Sequence, residues 1–131
     1  MKTDTKLDIL RRLPVFAGAS TNELRQIASH VDEIDVPAGY TLTREGDRGR
    51  EFVVLVEGSA TVENDGRVIA TLGDGDFLGE IALLLYTQRT ATVTTTTPSR
   101  LLVMTDRTFR TLVDDVPAFS RRVWSAAAAR T

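Results

Sequence analysis

The 131-residue chain contains no cysteine, a single histidine, a single tryptophan and no excess of basic residues, its formal net charge being −2. Without cysteine there is neither a disulfide framework nor a thiolate metal site, which fits a reducing compartment. One histidine, His30, cannot supply the clustered ligands of a cupin-type metalloenzyme, the enzyme class that a small β-barrel would otherwise suggest. Nor does a lone histidine far along the chain from Ser59 provide a nucleophile with its base. The acidic balance argues against nucleic-acid binding by this chain alone. No apolar run approaches the roughly 18 residues of a membrane span, and the opening MKTDTKLDIL holds no signal-peptide core. The expectation from these absences is a cytoplasmic, non-catalytic chain with no membrane segment, no metal and no cofactor.

What is present is an ordinary globular composition, with 42% hydrophobic and 26% charged residues, enough for one compact domain over 1–131. Leu7, Ile9, Leu10 and Leu13 have helical spacing before Pro14. Ser20 and Glu23 form a capping-box pair ahead of the apolar face Leu24, Ile27, Ala28 and Val31. A helical segment is expected over 5–30. From Ile34 the pattern changes to short β-branched runs at 34–36, 41–44, 52–57, 60–63 and 67–72, separated by turn residues. Asn64-Asp65-Gly66 is the clearest hairpin signal, because these residues tolerate positive φ. Two further strands are expected at 90–97 and 100–104, in which Thr92, Thr94 and Thr96 express strand preference on a wet face. Asp106 is placed to cap a helix that buries Phe109, Leu112 and Val113, and Pro117 to open a second helix. The expected fold class is mainly β with flanking helices: a β-barrel or jelly roll over 34–104, a helical N-terminal segment and C-terminal helices over 106–130.

One stretch, FLGEIALLLYTQRTATV from Phe77 to Val93, joins a Gly-Glu turn, a short apolar helix and an arginine entering a strand. A helix starting at Glu80 presents unpaired backbone N–H groups, which suit an anion. Arg89 lies nine residues beyond Glu80 and reaches the same anion if the chain doubles back over the helix. An acid at the rim of a phosphate site is out of place beside a bare phosphate. It makes sense as an acceptor for the hydroxyls of an attached sugar.

The stretch resembles the phosphate-binding cassette of the cyclic nucleotide-binding domain family. Gly79, Glu80, Ile81, Ala82, Leu83 and Leu84, then Arg89, Thr90, Ala91, Thr92 and Val93, match the family pattern at its spacing. Two departures are the insertion of Leu78 after Phe77, and Gln88 where proline often precedes the arginine. Glu45-Gly46-Asp47 followed by Phe52 to Leu55 and Gly58 resembles a second family pattern, and LPVFAGASTNELRQIA the helical segment before the barrel. The resemblance implies that Arg89 and the amides of Ile81, Ala82 and Ala91 hold the cyclic phosphate. It also implies that Glu80 accepts the ribose 2′-hydroxyl and that the Gly79 backbone lies close to the sugar.

Thr90 stands where members favouring cGMP often carry threonine, although some cAMP-responsive members carry it too. The ligand is left as cAMP or cGMP, with cAMP set ahead. In this family a residue of the last helix often covers the base. Trp124 is either that residue or a side chain packing the helix on the barrel. Arg130, 41 residues after Arg89, is either a capping arginine of the kind some channel-type members present or a solvated charge. The implied function is a regulatory sensor whose C-terminal helices move on binding and act through a protein partner or an effector domain not contained in the sequence, with a homodimer left open. Against it stands a degenerate barrel of the same fold serving protein–protein contact without nucleotide, and more remotely the cupin-like enzyme.

Overall fold

The computed structural model describes residues 3–130, so the limits 1 and 131 of the expected domain lie outside the described residues. Helix α1 (Thr3–Arg12) leads through a 3₁₀ turn at Pro14–Phe16 into α2 (Thr21–Ala28). The Ser20 hydroxyl accepts the Glu23 N–H at 3.1 Å while the Glu23 carboxylate accepts the Ser20 N–H at 2.8 Å, the reciprocal cap expected from their spacing.

Eight strands follow: β1 (Asp32–Val36), β2 (Thr41–Thr43), β3 (Glu51–Glu57), β4 (Ala60–Asn64), β5 (Arg67–Leu72), β6 (Phe77–Leu78), β7 (Thr92–Thr95) and β8 (Ser99–Thr105). They form two antiparallel four-stranded sheets, ordered β1-β8-β3-β6 and β2-β7-β4-β5. Asp65 and Gly66, both at positive φ, close the β4–β5 hairpin as a tight turn. Phe77 and Leu78 pair with Val54 and Val53, so the start of the cassette is a strand and not simply a turn. Helix α3 (Glu80–Leu85) lies between β6 and β7, and α4 (Asp106–Asp115) and α5 (Pro117–Arg130) complete the described chain. This is the mainly β fold with flanking helices expected from the sequence. The cap of α4 differs: extended Thr105, not Asp106, is the N-cap, its hydroxyl accepting the Thr108 N–H at 3.2 Å. Asp106 is already inside the helix because β8 runs directly into it.

Two cores result from strand alternation. Between the sheets, Val53, Leu55 and Leu101 meet Ala60 and Val93 across the barrel. On the outer face of the β8-β3 sheet, Phe52, Val54, Leu102 and Met104 pack against the helices. All five phenylalanines of the chain join one stack: Phe77 to Phe52 at 5.4 Å, Phe52 to Phe109 at 5.0 Å, Phe109 to Phe119 at 5.7 Å and Phe119 to Phe16 at 5.6 Å between centroids. Each such pair contributes about 0.5–1.5 kcal/mol beyond the area it buries. Leu83 of α3 belongs to this outer core with Val123 of α5, so the cassette helix is packed on the C-terminal helices as well as on the barrel.

Candidate functional site

A cavity of about 280 Å³ opens between α3 and the β2-β7-β4-β5 sheet. That is near the lower end of small-molecule pockets, roughly 300–1,000 Å³. Gly79, Glu80, Ile81, Ala82, Arg89, Thr90 and Ala91 all line it, as does Arg130. Val62, Ile69 and Leu72 form an apolar wall opposite. Trp124 is not among the lining residues; it is half exposed on α5.

The geometry begins with Gly79. Strand β6 ends there at φ +104°, a conformation that L side chains avoid, and the turn starts α3 directly at Glu80. Arg89 is held at both its backbone and its head. Its N–H donates to the Asp47 carbonyl at 2.7 Å and its carbonyl accepts the Gly46 N–H at 2.9 Å, which ties the Glu45-Gly46-Asp47 turn to the cassette. Its guanidinium donates through Nη2 to the Glu51 carbonyl at 2.7 Å and through Nη1 to the Gly79 carbonyl at 3.4 Å. Both anchors are main-chain oxygens, and among the described residues no direct ion pair neutralises the arginine's charge. Burial pulls the guanidinium below its ordinary value while Glu51 and Glu80 oppose that shift, and it stays a cation.

Sequence reasoning missed several supports of this arginine. Glu51 acts through its carbonyl, which any residue would supply. Gly49 leaves room for the helix: a Cβ there would stand 2.6 Å from Ala82 Cβ. Asn64 donates to the Thr90 carbonyl at 2.7 Å, and buried Thr43 donates to the Ala91 carbonyl at 3.0 Å, fixing the cassette's descent into β7. Of these, Gly49 is the one position where the close approach of Ala82 requires a particular residue type.

Glu80 is 1% exposed. Its carboxylate pairs with Arg130, whose Nη1 donates to Oε1 and, at 3.1 Å, to Oε2. The same Nη1 donates to the Phe77 carbonyl at 2.9 Å, and the Arg130 Cζ lies 5.0 Å above the Phe77 ring. Arg130 is thus ion-paired at the cavity rim while its side chain stays about a third exposed, at 36%. Burial raises the Glu80 carboxyl above the usual carboxylate range, and Arg130 pulls it partly back. A group held more tightly protonated in the folded state contributes stability that is full below its ordinary value and lost as pH rises through the raised one. Ionising this carboxyl therefore opposes folding. Glu80→Gln is expected to raise the melting temperature of the unliganded chain modestly at neutral pH; a fall would show that the Arg130 pair outweighs the burial of charge.

His30 is remote from the cavity, its Nδ1 within 2.9 Å of the Gln26 carbonyl. Among the described residues no group of three or more His, Asp and Glu side chains is placed to hold a metal ion. No described helix is long and apolar enough to cross a membrane.

Fold and cavity together place the chain among jelly-roll barrels that carry a short helix and an arginine in the connection leading to β7. Within that class it belongs to the cyclic nucleotide-binding domain family, whose sequence profile matches residues 33–115. It is 32% identical over 106 residues to a cAMP-dependent protein kinase regulatory subunit of Schizosaccharomyces pombe, covering 80% of this chain and 26% of that one. The chain thus spans about a quarter of that relative's length. The regulatory domain of Toxoplasma gondii PKA, solved with cAMP, superposes with a TM-score of 0.84 at 20% identity, over 98% of this chain and 50% of that one. The regulatory subunit of a cAMP-independent protein kinase A from Trypanosoma brucei superposes equally well, with a TM-score of 0.84 at 20% identity over 98% and 50% of the two chains. Likeness at that identity is one of fold.

Proposed function

We propose that this chain binds a cyclic nucleotide, cAMP or cGMP, and that binding repositions its C-terminal helices. The observation that carries the reading is the placement of Arg89 and Glu80 in one apolar-walled cavity. A cationic head suspended from two main-chain carbonyls keeps its remaining donors for two phosphate oxygens, the planar bidentate match that guanidinium offers. The amides of Ile81, Ala82 and Ala91 add neutral donors beside it. Glu80, one residue past the Gly79 turn, is the acceptor for a ribose hydroxyl, and the base lies against Val62 and Ile69. Because α3 shares the outer core with Val123 and the phenylalanine stack, a shift of α3 on phosphate binding changes the packing of α4 and α5. Binding then selects one arrangement of a two-state element. The readout belongs to a protein partner or to a domain elsewhere, as in the regulatory relatives.

A second reading, the same barrel without nucleotide, is favoured by one observation: the Glu80 carboxylate is already occupied by Arg130. Calorimetric titration with cAMP, cGMP and, as a control, 5′-AMP separates the two. One-to-one binding of a cyclic nucleotide supports the sensor. No heat from any of the three supports the module.

Thr90 is exposed at the cavity, and among the described residues its hydroxyl has no protein partner. Thr90→Ala is expected to weaken cGMP by about 2- to 10-fold, the scale of one neutral hydrogen bond, and cAMP by less. Equal losses measured in parallel titrations would remove Thr90 from base selection.

A further inference from the structure

The connection from β2 to β3 carries three arginines, Arg44, Arg48 and Arg50, that the nucleotide cavity does not use. They line a second hollow of about 240 Å³ together with Asp47, Glu51 and Arg89. Four guanidinium groups against two carboxylates leave a local excess of two positive charges, on a chain whose net charge is −2. Glu45 does not offset them, because its carboxylate turns to the β4–β5 hairpin and accepts the Asp65 N–H at 2.9 Å. Among the described residues the side chains of Arg44, Arg48 and Arg50 form no hydrogen bond or ion pair, and all three are exposed.

The main chain beneath these charges is pinned. Arg48 bridges to Gln88, next to the hydrogen bonds that tie Gly46 and Asp47 to Arg89, and the Arg50 carbonyl accepts the Asp106 N–H at 2.8 Å where α4 begins. Only side-chain rotamers remain to be ordered when an anion arrives, which limits what binding costs. Arg89 lines both this hollow and the nucleotide cavity, and Gly49 lies against its guanidinium, a Cβ there standing 3.4 Å from Cζ. One cation is shared by the two spaces.

We propose that this hollow docks an acidic segment of a protein partner, with carboxylates on Arg44, Arg48 and Arg50, and that bound nucleotide weakens the docking. Several guanidinium groups spread along one connection favour a chain bearing several carboxylates over a single small anion. The docking site stands on the charge of the hollow, whereas its coupling to nucleotide rests on the cyclic nucleotide reading. A cyclic phosphate and a carboxylate on opposite sides of Arg89 share its charge and repel one another, so each lowers the other's affinity by the same factor.

The test follows a fluorescein-labelled hexaglutamate peptide by anisotropy at low ionic strength, with labelled hexaglutamine as the neutral control. It is added to the full chain and to the Arg48→Ala/Arg50→Ala variant, whose lost side chains are exposed and unpaired, so the fold is kept. The expected result is saturable binding of hexaglutamate alone, about 3- to 20-fold weaker in the variant. Saturating cAMP or cGMP is expected to weaken it in the wild type by at least about 5-fold. No binding of hexaglutamate, or equal binding by the variant, overturns the docking site. Displacement by inorganic phosphate at the peptide's own concentration assigns the hollow to a small anion, and tighter binding to phosphatidylglycerol vesicles assigns it to a membrane surface; either overturns the protein partner. Peptide affinity unchanged by a nucleotide that calorimetry shows to be bound overturns the coupling alone. A chain that takes the peptide but neither nucleotide overturns the nucleotide reading and the coupling, and leaves the docking site standing.

Discussion

Arg89→Ala is expected to weaken cyclic nucleotide binding by about 2 to 5 kcal/mol, the scale of truncating one partner of a buried charge pair. In dissociation constants that is about 30-fold to several thousand-fold. The size follows from the surroundings. The guanidinium is partly desolvated, its protein acceptors are the neutral carbonyls of Glu51 and Gly79, and a bound phosphate would be its first direct anionic partner. Without it the phosphate meets only amides, with the Glu80 carboxylate nearby as a repulsive charge. The variant should still fold, since its lost contacts are two hydrogen bonds at the rim of the cavity. A native melting curve together with unchanged affinity would remove the phosphate from Arg89.

Gly79→Ala should have an effect of similar size on binding and a larger one on stability. At φ +104° an alanine is strained by about 1 to 3 kcal/mol, which lowers the urea midpoint. Its Cβ would also stand 2.7 Å from the Glu51 carbonyl and 2.8 Å from Arg89 Nη1. The methyl thus displaces the arginine from its second anchor and enters the space where the sugar approaches. Affinity is expected to fall by at least about 30-fold, as for removal of the arginine itself. Calorimetry on the folded fraction checks this, and an affinity within threefold of wild type would show that neither the Arg89 anchor nor the close backbone approach matters.

These two residues are also where the sequence was most informative. The cassette, the capping box at Ser20 and the Asp65-Gly66 hairpin are local devices: each needs particular side chains or positive φ at fixed spacing, and each leaves that spacing in the chain. The pairing of Arg89 with the Glu45-Gly46-Asp47 turn explains why two motifs about forty residues apart occur together, since each supplies the other's backbone hydrogen bonds. Arg130 is the contrary case. Its contact with Glu80 spans 50 residues and depends on how α5 crosses α3, which an alanine-rich helical turn does not encode by periodicity. Trp124 read as a candidate for stacking on the base because of its type, yet the rotation of α5 that buries Val123 and Ala127 turns Trp124 away from the cavity lining. Thr95 was unread for the same reason: strand composition gave no hint that its buried hydroxyl closes the Pro37–Tyr40 turn, donating to the Pro37 carbonyl at 2.7 Å and accepting the Tyr40 N–H at 2.9 Å.

The central claim is that a cyclic phosphate sits between the Arg89 guanidinium and the first turn of α3. It is tested most directly by following the Arg89 side-chain N–H resonances and the amides of Ile81, Ala82 and Ala91 by ¹⁵N NMR during addition of cAMP or cGMP. The account predicts that these four sites shift together and saturate at one equivalent of the bound nucleotide. Saturable binding that leaves the Arg89 and Ile81 resonances in place would contradict it.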